Sequence, residues 1–214
     1  DGTVDLRTGA LRASRRADLI TKAAAVAPAE TAECPRWTAF LDRVTGGDAE
    51  LQTFLQRMVG YCLTGSTAEH ALFFLYGTGA NGKSVFLETI QWLLADYSQQ
   101  APPGAFTQKR HEEHSTEIAG LHGARLVTAP EIEDGRRWAE TKLKSLTGGD
   151  EVTARFMRGD FFTFTPQFKV VIAGNHKPGL RNVDEAMRRR LRLIPFDQTI
   201  PRAERDPALA EKLR

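Results

Sequence analysis

The chain has 214 residues, of which 41% are hydrophobic and 26% are charged, and its net charge is +2. This composition is typical of a globular protein with one sizeable core and a small appendage. No apolar run approaches the roughly 18 residues that a membrane span requires, and the first residues lack a signal-peptide pattern. We therefore expect a cytoplasmic protein without a membrane partner, in which Cys34 and Cys62 are reduced thiols.

The first segment, residues 1–68, is predicted to hold a hairpin around Thr8-Gly9 and two helices. Pro35 suits the first turn of one helix, and Asp48 can cap the next. Apolar residues at helical spacing in the second helix predict core positions at Leu51, Phe54, Leu55, Met58 and Cys62, with the helix ending at Gly65.

A complete phosphate-loop motif, GxxxxGK[ST], follows the apolar run 72–76. Its residues are Gly77, Thr78, Gly79, Ala80, Asn81, Gly82, Lys83 and Ser84. An amphipathic helical pattern with inner residues Phe86, Leu87, Ile90, Leu93 and Leu94 comes next, so a bound phosphate would lie at a helix N-terminus. Lys83 supplies charge for the β- and γ-phosphates, and the Ser84 hydroxyl can ligate Mg²⁺. The alternative is a glycine-rich turn with an incidental lysine.

Three further buried strands are predicted at residues 124–129, 168–173 and 191–196, and a polar loop with a short helix at residues 98–116. Strands separated by helices and preceded by a phosphate loop indicate an α/β protein with a three-layer sheet. We assign residues 69–200 to this core and residues 201–214 to the start of a C-terminal helical tail. The chain is expected to be part of a longer protein.

Carboxylates follow the predicted strand 124–129. Glu131 and Glu133 lie where a Walker B acid belongs, and we expect their strand to run beside the phosphate-loop strand. Glu131 is the candidate for organising Mg²⁺ and polarising water, and the alternative is a surface acid. Asn175 follows another strand and can hydrogen-bond a γ-phosphate or the attacking water; the alternative is a plain Gly-Asn turn.

Basic residues are concentrated between residues 136 and 192, with thirteen Lys or Arg against six Asp or Glu. Such a window indicates a phosphate-backbone partner, and the alternative is a solvated basic surface. Of the three consecutive arginines 188–190, we expect at least one to point outward, toward a neighbouring subunit's nucleotide. The alternatives are a solvated basic patch and direct contact with nucleic acid.

A hairpin with a turn at residues 158–160 is also predicted within this basic window. The phenylalanines Phe161, Phe162 and Phe164 are expected to be core residues, or else platforms that stack on the bases of single strands.

These motifs occur in an order that resembles one known family. The order runs from GTGANGKS at 77–84 through Glu131, the lysine-led KSLTGGD at 144–150 and AGNHKP at 173–178 to RRLRLIPF at 189–196. It is similar to the helicase domain of phage and plasmid primase-helicases, which belong to the superfamily 3 helicases within the AAA+ group. One departure is that Ile132 separates the two acids, which are usually adjacent in the family.

The resemblance implies an ATP-driven, ring-shaped homohexamer that translocates on single-stranded DNA and unwinds forked duplex. It implies that Lys83 and Ser84 bind ATP and Mg²⁺, that Glu131 is the Walker B acid with Glu133 as a further metal ligand, and that Asn175 is the sensor. It also implies an upstream primase region or partner, and residence in the bacterial cytoplasm, whether the protein is encoded by a phage, a plasmid or a chromosome.

The resemblance assigns roles to basic residues as well. Arg190, with Arg189 as second choice, would be the arginine finger that reaches the adjacent protomer. Lys144, Arg155 and Arg158 would face DNA in the central pore. Two other functions stay open at this point: a phosphate-loop kinase for a small molecule, and an ATP-dependent DNA-binding or assembly module without unwinding activity.

Overall fold

The structure, a computed structural model, describes residues 2–102, 105–108, 116–129, 138–175 and 184–214. The strands in chain order are β1 (Thr3–Val4), β2 (Leu11–Arg12), β3 (Leu72–Tyr76), β4 (Ser98–Gln100), β5 (Leu126–Ala129), β6 (Val152–Ala154), β7 (Phe162–Phe164), β8 (Lys169–Gly174) and β9 (Leu191–Pro195). The α-helices are α1 (Pro35–Thr45), α2 (Ala49–Leu63), α3 (Lys83–Leu94), α4 (Thr116–Ala119), α5 (Glu140–Gly148), α6 (Glu185–Arg188) and α7 (Leu209–Lys212). Among these described helices, none has the length and apolar character needed to cross a bilayer.

A five-stranded parallel sheet in the order β4-β5-β8-β3-β9 forms the centre of a mixed α/β fold. Successive side chains of a strand point to opposite faces, so β3 contributes to two cores. Phe73 and Leu75 pack with residues of α1, α2 and α3 on one face. Leu72 and Phe74 pack with residues of α4, α5 and α6 on the other. Because helices cover both faces, β3 is apolar throughout and β8 is apolar after Lys169.

The two N-terminal helices form for local reasons. Pro35 is the first residue of α1, and Gly46 ends it with φ of 65°. The Asp48 carboxylate caps α2 by accepting a hydrogen bond from the Leu51 amide at 3.0 Å. Both helices pack on the sheet rather than on each other alone, since residues from each share the core of β3 and α3. The division at residue 68 stays a prediction.

The α2 stripe was predicted too broadly. Phe54 is 36% exposed and meets the edge of the Phe73 ring at 6.3 Å, so it lies at the margin of the core. The helix also ends at Leu63, two residues before Gly65. Helical spacing identifies a face of a helix, but not how far the neighbouring strand extends over that face.

Two predictions about the sheet are wrong. The polar segment that starts at Ser98 begins with a strand, because β4 pairs with β5 at the edge of the sheet and needs only backbone hydrogen bonds there. The strand β5 does not lie beside β3: β8 lies between them, pairing Val170 with Leu72 on one side and with Val127 on the other.

Two cations stabilise the C-terminal end of α2. Lys169, 1% exposed, donates hydrogen bonds to the carbonyl oxygens of Thr64 and, at 3.3 Å, Ser66. Arg125 donates to the carbonyl oxygen of Leu63. Burial lowers the pKa of Lys169 from 10.5 to about 8. Lys169 therefore connects the helical segment to the sheet, and it does not contribute to the basic surface that the sequence predicts.

We expect Lys169→Met to lower the free energy of unfolding by about 1–3 kcal/mol at pH 7, because the α2 carbonyls lose their donor. Between pH 8 and 10.5 the folded protein binds fewer protons at Lys169 than the unfolded chain does, so wild-type stability rises relative to the variant. Urea unfolding at pH 7 and pH 9.5 measures both effects, with exposed Lys212→Met as control. Equal stability of the two variants would contradict this role.

Candidate active site

The phosphate loop connects β3 to α3 and requires glycine at two positions in particular. Gly77 has φ of 152° and Gly82 has φ of 85°. A Cβ atom at Gly77 would lie 2.1 Å from the carbonyl oxygen of Phe196, and one at Gly82 would lie 2.5 Å from the side chain of Val44. The loop is therefore packed against the end of β9 and against α1, which holds its backbone in one conformation.

Lys83 and Asn81 form a buried polar pair inside this loop. The Lys83 ammonium, in a residue 7% exposed, donates hydrogen bonds to the Gly77 carbonyl at 2.6 Å and to the Asn81 side-chain oxygen at 3.0 Å. Asn81, 3% exposed, donates in turn to the Phe196 carbonyl at 2.7 Å. These acceptors are neutral, so an anionic phosphate competes favourably for the ammonium.

The loop fits a nucleoside triphosphate with Mg²⁺. The N–H groups in the first turn of α3 point out of the helix toward the loop, and the helix dipole adds positive potential there. Ser84 is exposed beside Lys83, which leaves its hydroxyl accessible to a metal ion. The described residues contain no group of three or more His, Cys, Asp or Glu side chains that holds a metal. Mg²⁺ bound mainly through phosphates does not require such a group.

The register of the sheet brings Asn175 to the phosphate loop. Tyr76, which precedes the loop, is paired with Gly174, which precedes Asn175. Parallel strands all have their carboxyl ends on the same side of the sheet. The phosphate loop and the segment that begins at Asn175 therefore leave the sheet side by side. Glu131 and Glu133 lie outside the described residues, and β5, which precedes them in the chain, ends at the same edge.

The arginines lie at the other end of the parallel strands, just before β9 begins. The Leu72 amide donates to the carbonyl of Arg190 at 2.9 Å, at the start of β3, and the loop begins five residues later. At the rise of a strand these positions are roughly 16 Å apart, beyond the reach of an arginine side chain. The structure therefore does not bring the arginines to the phosphate loop of the same chain.

The outward orientation expected for the arginines does not apply to Arg190. It is 8% exposed and donates a hydrogen bond to the Ala186 carbonyl at 2.9 Å, and its Nε has no partner among the described residues. Arg188 and Arg189 are exposed. Arg190 packs beside Gly148, where a Cβ would lie 3.5 Å from its Nη2 and 3.4 Å from an Asp150 carboxylate oxygen. Of the two arginines that the resemblance names, Arg189 is therefore the one that a neighbouring molecule can reach.

The hairpin β6–β7 presents a basic and aromatic tip. Arg155 and Arg158 are exposed, and the Arg155 guanidinium lies 4.7 Å from the centre of the Phe161 ring. Phe164 is buried, as expected of a core residue, whereas Phe161 is 63% exposed, so the core interpretation is wrong for it. Phe162 is half-buried, so its exposure is intermediate between those of Phe161 and Phe164. Phe156 and Met157 are also exposed at the tip, a feature that the sequence analysis missed.

Two contacts made by the candidate residues were not predicted. Asn81 occupies a variable position of the motif, so nothing in the pattern singles out its contact with Phe196. Lys144, predicted to face DNA, forms an ion pair with Asp184. The signal in the sequence was Asp184 placed just before a short helix, where an acid is a typical N-cap.

Two family profiles match the chain. The family described as "Family of unknown function (DUF5906)" matches residues 75–190, which run from the end of β3 to the third arginine. The family described as "D5 N terminal like" matches residues 1–46, which include the β1–β2 hairpin and α1.

Curated relatives come from DNA viruses. A protein named "Putative helicase" from Acanthamoeba polyphaga mimivirus is 31% identical over 151 residues, which are 70% of this chain and 16% of that protein. Primase D5 of fowlpox virus is 24% identical over 152 residues, which are 69% of this chain and 19% of that protein. The chain therefore spans less than a fifth of the length of either relative.

Among solved structures, the apo C-terminal region of NrS-1 has the same fold. It aligns with a TM-score of 0.67 at 11% identity, covering 86% of this chain and 43% of that region. The DUF5906 profile matches more than half of the residues of this chain, so the chain belongs to that family. The viral relatives confirm its resemblance to the primase-helicases.

Proposed function

We propose that the chain is the ATPase core of a DNA helicase of the AAA+ type. It hydrolyses ATP with Mg²⁺, translocates on single-stranded DNA and unwinds forked duplex as a ring-shaped homo-oligomer, with a hexamer as the expected size. The helicase and primase names of its relatives support this proposal, and a primase region or partner accompanies it in the whole protein.

One observation carries the proposal. The loop that fits a triphosphate lies at the carboxyl ends of the parallel strands, and the exposed Arg189 lies at their amino ends. A single chain therefore holds two different half-sites. In a head-to-tail ring, the arginines of one protomer face the phosphate loop of the next. Each phosphate loop then receives an arginine from its neighbour. This arrangement favours an oligomeric ATPase over a kinase that works as a monomer.

Each residue has a chemical task in the proposed site. Lys83 would exchange its loop acceptors for phosphate oxygens, and Ser84 would hold Mg²⁺, which would neutralise charge that develops on the phosphates. Glu131 orients the attacking water and accepts its proton, and Asn175 hydrogen-bonds that water or the γ-phosphate. Arg189 of the adjacent protomer stabilises the transition state.

The hairpin β6–β7 supplies the proposed DNA contacts. Exposed Arg155 and Arg158 fit backbone phosphates, and the exposed rings of Phe156 and Phe161 fit the faces of unpaired bases. Phosphate contacts of this kind carry no sequence information, which suits an enzyme that moves along a strand.

We expect Lys83→Ala to reduce ATP hydrolysis on the order of 100-fold or more, because the transition state loses its main charged donor. Steady-state phosphate release, with and without single-stranded DNA, measures the effect. Lys212→Ala is the matched control, since Lys212 is exposed and lies in α7. Phosphate transfer to a small acceptor in preference to water would instead favour the kinase alternative.

A mixing experiment tests the shared site. We expect Arg189→Ala to lower the DNA-stimulated rate by about 10³-fold or more. Mixed with Lys83→Ala protein, it should regain activity, since an intact loop then meets an intact arginine from the other variant. A mixture that only averages the two separate rates would refute the split site.

Controls separate Arg189 from its neighbours. Arg188→Ala removes an exposed arginine one residue away and should leave hydrolysis near the wild-type rate. Arg190→Ala removes a buried side chain, so we expect it to lower the melting temperature as well as the activity.

A further inference from the structure

The ion pair between Lys144 and Asp184 joins α5 to the start of α6. The Lys144 ammonium donates to one oxygen of the Asp184 carboxylate. The other oxygen accepts a hydrogen bond from the Met187 amide at 3.0 Å and so caps α6. The lysine hydrogen bond is the main reason that the pKa of Asp184 lies below its ordinary value. One carboxylate therefore holds both a helix end and a lysine from another helix.

The helix that Asp184 caps leads directly to the arginines. α6 is a single turn, and Arg189 and Arg190 follow it without an intervening loop. Arg190 donates back to the Ala186 carbonyl within this turn. One helical turn therefore separates Asp184 from Arg189.

The helix α5 contacts the same segment at a second point. Gly148 ends α5, and a Cβ there would lie 3.4 Å from an Asp150 carboxylate oxygen and 3.5 Å from Nη2 of Arg190. After the three residues that follow α5, the chain continues into β6 and the proposed DNA hairpin. The helix α5 thus connects the hairpin to α6 through Lys144 and Gly148.

Lys144 cannot bind a DNA phosphate and Asp184 fully at the same time. Its side chain is 26% exposed and that of Asp184 is 54% exposed, so solvent and a ligand both reach the pair. An ion pair this exposed is weak, equivalent to a factor of about two to five in an equilibrium constant. A phosphate backbone bound along the hairpin is therefore able to take Lys144 from Asp184.

We propose that the Lys144–Asp184 ion pair is a latch that single-stranded DNA opens, and that Asp184 is a positioning residue for Arg189. In the DNA-free protein the latch holds α6 in a conformation that does not complete the neighbouring site. When a DNA phosphate binds Lys144, Asp184 is released, and α6 moves Arg189 toward the adjacent nucleotide. The inference rests on the proposed function and adds to it the route by which DNA stimulates hydrolysis.

Asp184→Asn is the informative variant, because asparagine is also a good N-cap but does not hold the lysine as an anion. We expect two- to five-fold tighter binding of a fluorescent oligothymidine without nucleotide, since Lys144 is already available. We also expect faster ATP hydrolysis without DNA, a smaller stimulation by DNA, and an unchanged KM for ATP, because the phosphate loop lies at the other edge of the sheet.

Two further variants make the test specific. Glu185→Gln removes the same charge from the next residue, which has no ion pair among the described residues, and should leave the DNA-free rate unchanged. Lys144→Gln removes the same ion pair from the other side and leaves the Asp184 carboxylate to cap α6, so the DNA-free rate should rise as it does in Asp184→Asn. A structural role of Asp184 alone does not predict the same increase from a change on α5.

The outcomes separate this inference from the proposed function. If the wild-type protein shows no ATP hydrolysis that is lost in Lys83→Ala, the proposed function is wrong. The DNA-binding measurement without nucleotide still tests the latch in that case. If hydrolysis depends on Lys83 and Asp184→Asn changes neither DNA affinity nor the DNA-free rate, the latch is wrong. Equal loss of the DNA-free and stimulated rates in Asp184→Asn would also overturn it.

Discussion

The contact between the phosphate loop and the end of β9 is the constraint on which the site depends. Gly77 has no space for a side chain against the Phe196 carbonyl, and the same carbonyl accepts the Asn81 amide that holds Lys83. A second backbone bond, from the Ile200 amide to the Ala80 carbonyl at 2.8 Å, extends this contact. Because β9 begins directly after the arginines and ends at the phosphate loop, one short strand connects the two regions.

The parts of the fold that follow from local chemistry were predictable from the sequence. A proline and an aspartate determine where α1 and α2 begin, and the glycines of the phosphate loop determine its turn. The order of the strands was not predictable in this way, because β8 enters between β3 and β5 through pairings that are distant in sequence. The strand β4 carries polar side chains, and only its backbone pairing identifies it.

The candidate site divides in the same manner. A motif with fixed spacing identifies Lys83 and Ser84. Because the motif follows a buried strand, it also predicts that these residues lie at the carboxyl ends of the strands. Charge counting, in contrast, treats all cations alike. It does not distinguish Lys169, buried under α2, from Arg155 in solvent, nor does it find the partner of Lys144 forty residues away. Burial and pairing of charge are tertiary properties, and the amino-acid sequence states them only indirectly.

The cations beneath α2 bear on how such proteins evolve. Lys169 and Arg125 belong to the sheet, yet their acceptors are the last carbonyls of a helix that precedes it. A recombination event that joined a foreign N-terminal segment to β3 would leave a buried ammonium without its acceptors. Selection therefore favours inheritance of the helical segment and the sheet as one block.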